Sequence, residues 1–181
     1  HAIIRKGLKQ ILDDTDDMRV TGEADCGMQA IHMTQTGEYE LVLLDISLPD
    51  KNGVEVLKQL KQNHPQLSIL MLSMHAEDQY AVRAMKAGAS GYLNKQSAPS
   101  QLVDAIRQVN KGKKYISNEL AQQLAEGLSE GFHELLHQSL SNREYQTLCL
   151  LASGKKLSEM AEIMSLSTKT VSVYRARLLD K

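Results

Sequence analysis

The chain has 181 residues, 42% hydrophobic and 24% charged, with only three prolines, which admits one large or two small globular domains and excludes a low-complexity chain. Its net charge of −1 is unevenly spread: residues 139–181 hold seven Lys/Arg against four Asp/Glu, a net of +3, leaving −4 on the rest. An acidic body with a basic tail is the asymmetry expected when the tail meets an anionic polymer.

The first 110 residues alternate helix and strand. Ile3, Ile4, Leu8, Ile11 and Leu12 recur at helical spacing, and the acidic run 13–16 ends that segment. A strand is predicted over 18–24 and a helix over 26–35, stopped before Gly37. Then come strand 41–45, helix 53–63 ending before Pro65, and strand 67–73. Helix 78–87 closes at Gly88, strand 91–94 is short, and helix 99–110 opens on Pro99, a favourable first helical residue. Helices between short apolar strands imply right-handed crossovers and a parallel sheet covered on both faces. Such an alternation naturally starts with a strand, so a first strand is expected upstream of His1.

Residues 111–139 form a connection with one helix, 117–126, capped by Ser117, and a glycine-bounded hinge at 127–131. Three helices follow, at 142–152, 157–164 and 168 onward. Gly154 ends the first, and Ser165-Leu166-Ser167 separates the second from the third. Ser167 is placed to cap the last helix by accepting the N–H of Thr170. Two helices joined by so short a turn make a helix-turn-helix.

Chemistry concentrates at the strand ends. Asp45 closes the apolar run 41–44, which has the pattern of a strand buried on both faces. Function in open α/β sheets gathers at the carboxyl ends of strands, and a carboxylate held there can act as a nucleophile or bind a metal. Phosphoryl transfer to a carboxylate needs an in-line nucleophile, a cation across the phosphate oxygens and donors for the developing charge. Asp45 supplies the nucleophile, Ser73 a hydroxyl at the end of the next strand, and Lys95 an ammonium at the end of the third.

Asp45 with Pro49 and Gly53, Ser73 and Lys95 resemble a response-regulator receiver domain. The stretch from Leu140-Ser141 and Arg143-Glu144 through Glu159-Met160-Ala161 to Thr170-Val171 resembles the LuxR-type helix-turn-helix. Together they are similar to the NarL/FixJ subfamily of two-component response regulators. The resemblance implies a flavodoxin-like α/β receiver over 1–110, N-terminally incomplete, and a linker over 111–139. A small all-α DNA-binding domain over 140–181 would follow, short of one dimerisation helix. It further implies Mg²⁺ bound by Asp45, by the Ser47 carbonyl and by an acidic pair upstream of His1. Mg²⁺ accepts such oxygen ligands and keeps several waters. Tyr92 matches the family's aromatic switch position, while Gln96 departs from the proline many receivers carry after the lysine.

On a helical wheel at 100° per residue, Val171, Tyr174 and Leu178 fall within about 60° of one another and should face the core. Lys169, Ser172, Val173 and Ala176 cluster opposite, on the face that would enter the major groove, and Thr170 is counted with them as a DNA-contacting residue. Arg175 and Arg177 flank that face and suit phosphate contacts, as do Lys155 and Lys156 ahead of the preceding helix. Ser172 can pair with several base edges and Val173 with a thymine methyl.

The expected function is a phosphorylation-controlled transcriptional regulator, not an enzyme. A sensor histidine kinase would donate to Asp45, and a homodimer would bind double-stranded promoter DNA. Two alternatives are a receiver that works by protein contacts alone and an Asp-nucleophile hydrolase. Hydrolases of that kind typically carry a second Asp two residues on, where this chain has Ser47. Cys26 and Cys149 form no metal-like or CxxC spacing, and Cys149 has the pattern of a small buried thiol. No apolar stretch approaches the roughly 18 residues of a membrane span and no signal peptide is evident, so a cytoplasmic location is expected.

Overall fold

A computed structural model describes residues 2–74, 79–118, 120–122, 125 and 140–180. The hinge at 127–131 and part of helix 117–126 lie outside the described residues. In order, the elements are α1 (Ala2–Asp13), α2 (Gly27–Thr36), β1 (Leu41–Asp45), α3 (Gly53–Asn63), β2 (Ser68–Ser73), α4 (Gln79–Lys86), β3 (Gly91–Asn94) and α5 (Pro99–Asn110). The C-terminal helices are α6 (Asn142–Ala152), α7 (Leu157–Met164) and α8 (Thr168–Leu179).

The three strands are parallel in the order β1-β2-β3. Central β2 is apolar throughout its middle, with Ile69, Leu70, Met71 and Leu72 all buried, because helices cover both faces and leave no side for polar groups. On one face, Ile31 of α2, Val56, Leu57 and Leu60 of α3 and Tyr80, Ala81 and Ala84 of α4 share a core with Ile69 and Met71. On the other, Leu12 of α1 and Leu102, Ala105 and Ile106 of α5 pack on Leu70, Leu72 and Leu93. Registers Asp45↔Leu72 and Ser73↔Asn94 bring the strand ends to one rim.

The strand predicted at 18–24 does not form. Met18 and Val20 pack against the apolar cluster, but the segment is irregular, and among the described residues β1 pairs only with β2. A strand exists by its ladder, and an alternating sequence with no neighbour to bond stays merely extended. The opposite edge, β3, is covered by the start of the connection. Tyr115 makes a parallel bridge to Gly91, with Tyr92 N–H donating to the Tyr115 carbonyl at 3.0 Å and Tyr115 N–H to that of Ser90 at 3.1 Å.

The C-terminal helices enclose their own core of Leu150, Met160, Ala161, Met164 and Val171. Ser141 and Glu144 close a reciprocal cap on α6. Ser165, with φ 53°, makes the left-handed turn out of α7, and Ser167 accepts the Thr170 N–H at 3.1 Å. Tyr145 of α6 meets Tyr80 of α4 edge to face, with centroids 4.8 Å apart. Cys26 and Cys149 are both half-buried and form no disulfide.

Candidate functional site: a strand-end carboxylate and a basic helix

At the rim, the Asp45 Oδ1 accepts the Ser47 N–H at 2.9 Å and Oδ2 pairs with the Lys95 ammonium. The Lys95 side chain is 5% exposed and that of Asp45 18%, so the ion pair is shielded while the carboxylate still faces solvent. Lys95 N–H donates to the Ser73 carbonyl at 2.7 Å, and Ser73 is itself buried. Asp45, Ser73 and Lys95 thus meet because three strands end at one level. Tyr92, on β3 just ahead of Lys95, is wholly buried opposite Met71 of β2.

This arrangement fits acyl phosphate formation. The carboxylate is accessible, and the ammonium beside it can follow negative charge onto a transferred phosphoryl group. Asp45, Ser47 and Lys95 line one broad groove. Asp45 and the Ser47 carbonyl are hard oxygen donors of the kind a hydrated divalent cation takes. Among the described residues there is no group of three or more His, Cys, Asp and Glu to hold a metal by themselves.

The second candidate surface is α8. Val171 is fully buried and Tyr174 half-buried in the helix-turn-helix core, as the wheel requires. Leu178 is half-buried but packs elsewhere, into the cluster holding Tyr80 and Tyr145. Lys169, Ser172, Val173, Arg175, Ala176 and Arg177 are all exposed, as are Lys155 and Lys156. Thr170 is half-buried, its hydroxyl 2.8 Å from that of Ser167, so it serves the helix cap. If Arg175 and Arg177 neutralise phosphates, Arg175→Ala/Arg177→Ala should weaken DNA binding at every sequence. It should also flatten the plot of log affinity against log salt by about 0.9 per lost contact. An unchanged slope in a fluorescence titration would remove both arginines from the interface.

Two features escaped the sequence. Arg83 of α4 donates to the Leu140 carbonyl at 3.0 Å and to Asn142 Oδ1 at 3.4 Å, and lies 4.2 Å from the centre of the Tyr145 ring. Desolvation pulls its pKa below the ordinary value, and the neighbouring Tyr145, Tyr80 and Cys149 partly oppose this. Asp50 caps α2 from a distant loop, and the one available sign was Cys26, a poor capping residue, at the N-cap of α2.

A model described as the response regulator receiver domain matches residues 1–107, and one described as bacterial regulatory proteins of the luxR family matches 138–181. The chain is 38% identical over 182 residues to the response regulator UvrY of Escherichia coli K12, covering all of this chain and 84% of that protein. It is 34% identical to the response regulator GacA of Pseudomonas aeruginosa, covering 85% of that protein. A LuxR-family two-component response regulator from Aurantimonas superposes with a TM-score of 0.65 at 32% identity, over 72% of this chain and 93% of that one. A structure of two RcsB dimers bound to two parallel DNAs gives 0.63 at 26% identity, over 100% and 87%.

Proposed function

The chain belongs to the response regulators that join a receiver domain to a LuxR-type DNA-binding domain, transcription regulators controlled by phosphorylation, and we propose that Asp45 is its phosphoryl acceptor. A sensor histidine kinase donates the group, with Lys95 and the Ser73 hydroxyl stabilising it on Asp45. Receiver domains use a divalent cation for this step. The cation is Mg²⁺, and Asp45 and the Ser47 carbonyl would be among its ligands. Tyr92 responds to the Ser73 loop as the switch residue. The receiver spans 1–110, the linker 111–139 and the DNA-binding domain 140–181. Lys169, Ser172, Val173 and Ala176 meet base edges, and Arg175, Arg177 and Lys156 meet phosphates, in a homodimer on promoter DNA.

The protein is a switch rather than an enzyme, and Ser47 stands where an acid–base carboxylate would serve turnover. Among the described residues no helix is long and apolar enough to cross a membrane, and the regulator acts in the cytoplasm. The observation that carries this reading is the shielded Asp45–Lys95 pair at the rim Ser73 shares.

The test is intact mass after incubation of the full polypeptide with a small phosphodonor and Mg²⁺, followed by promoter binding. The parent should gain one phosphoryl group and bind more tightly, and Asp45→Asn should do neither. An Asp45→Asn protein that still responds would refute the assignment.

A further inference from the structure

α2 begins without a cap of its own. Its N-cap residue, Cys26, has the extended backbone of a capping position, φ −149° and ψ 168°, but makes no side-chain capping bond. The missing acceptor arrives from 23 residues downstream. Asp50 Oδ1 accepts the Gly27 N–H and Oδ2 the Met28 N–H, each at 2.8 Å. A carboxylate at a helix N-terminus also meets the positive end of the helix dipole. Oδ1 additionally accepts the Lys51 N–H at 2.9 Å, so the same side chain shapes its own turn.

Asp50 lies on the loop between β1 and α3, which begins at Asp45 and carries Ser47. That loop is a small closed structure. Ser47 and Asn52 face each other in an antiparallel bridge, and Gly53 N–H donates to the Ile46 carbonyl at 2.8 Å. Asp50 sits at its tip and holds it to a neighbouring helix. The fit is close: a Cβ on Gly27 would lie 2.6 Å from Val56 Cγ2 and 3.3 Å from Asp50 Oδ1, so only glycine allows α2 this near. Burial works to raise the Asp50 pKa, but the N–H groups of Gly27, Met28, Asp50 and Lys51 together bring it below the ordinary value. The carboxylate is therefore charged at neutral pH.

We infer that Asp50 is a positioning residue for phosphoryl transfer: by clamping the acceptor loop to the N-terminus of α2, it holds Ser47 and the Asp45 carboxylate in register with Lys95. This rests on Asp45 being the acceptor. The clamp acts through the backbone, since Asp50 contacts Gly27, Met28 and its own turn rather than Asp45. A capping role alone would stabilise α2 and leave the chemistry untouched, so the test must separate the two.

Cys26→Ser restores a local cap, because a serine there can accept the Met28 or Gln29 N–H. Three full-length proteins are compared with the parent: Asp50→Ala, Cys26→Ser, and the double variant. The readouts are thermal midpoint, the rate of phosphoryl uptake from a small phosphodonor by intact mass, and hydrogen exchange at the Ser47 amide. Asp50→Ala should lower the midpoint, slow uptake by about tenfold through misplacement of the reacting group, and speed Ser47 exchange by about tenfold through local opening. In the double variant the midpoint should recover while uptake and exchange stay altered. Recovery of all three would reduce Asp50 to a helix cap and overturn the inference, as would parent-like uptake and exchange in Asp50→Ala. If the parent takes up no phosphoryl group, the function proposed above fails. Ser47 exchange in the double variant still decides the clamp, persisting if Asp50 positions the loop and reverting if it only caps.

Discussion

Alanine in place of Gly53 is expected to destabilise the protein by about 3 kcal/mol, the upper end for forcing extra volume into a packed site. Gly53 opens α3 against the acceptor loop. A Cβ there would stand 2.1 Å from the Asp45 carbonyl oxygen, 2.7 Å from Ile46 Cα and 2.9 Å from the Asp45 carbonyl carbon. Every obstacle is backbone, so no side chain can rotate away, and the loop itself must move. Helix propensity alone predicts the opposite sign, since alanine is favoured over glycine by up to about 1 kcal/mol within helices. Urea denaturation therefore separates the two effects by direction. A raised midpoint would mean that the close approach is not a constraint. The same displacement moves Asp45, so phosphoryl uptake should also fall at temperatures where the variant remains folded.

The second large effect is expected at the junction of the two halves. Arg83 stacks on Tyr145 while bonding the Leu140 carbonyl at the foot of α6, and both rings of the Tyr80–Tyr145 pair are buried. A desolvated cation–π contact is worth about 1–2 kcal/mol. A double-mutant cycle with Arg83→Met and Tyr145→Leu keeps the apolar volume while removing charge and ring. It should return a coupling of about 1 kcal/mol, typical of side chains in direct contact. Leu178 of α8 packs against the same cluster as Tyr80 of α4 and Tyr145 of α6, so α8 shares a core with the residues of this junction. Arg83→Met should therefore shift promoter affinity of the unphosphorylated protein by about fivefold, the equivalent of 1 kcal/mol. Additive single effects with unchanged affinity would show the junction to be passive.

Both surfaces can be read from the chain alone, each for a different reason. Asp45, Ser73 and Lys95 were legible because each closes a short apolar run, and parallel strands deliver their carboxyl ends to one rim. The exposed face of α8 was legible because a single helix sets it by its own period. The segment at 18–24 was not, since its strand-like pattern is local while a ladder needs a neighbour. Leu178 shows the same limit from the other side. Its apolar stripe correctly marked it for burial, yet the stripe cannot say against what, and it packs on the cluster that holds Tyr80 and Tyr145 rather than in the helix-turn-helix core.

By itself, then, the sequence determined the plan of a receiver followed by a helix-turn-helix, the carboxylate, hydroxyl-bearing residue and ammonium that share one rim, and the exposed face of α8. Each of these follows from periodicity or from a residue's place at the end of its own element. Only the tertiary structure decided that Asp50 caps a helix 23 residues upstream, that Tyr115 seals the β3 edge, and that Arg83 and Tyr145 join the halves. Those contacts pair groups distant along the chain. Their free energy comes from desolvation and hydrogen-bond geometry, which exist only once separate elements have been brought against one another.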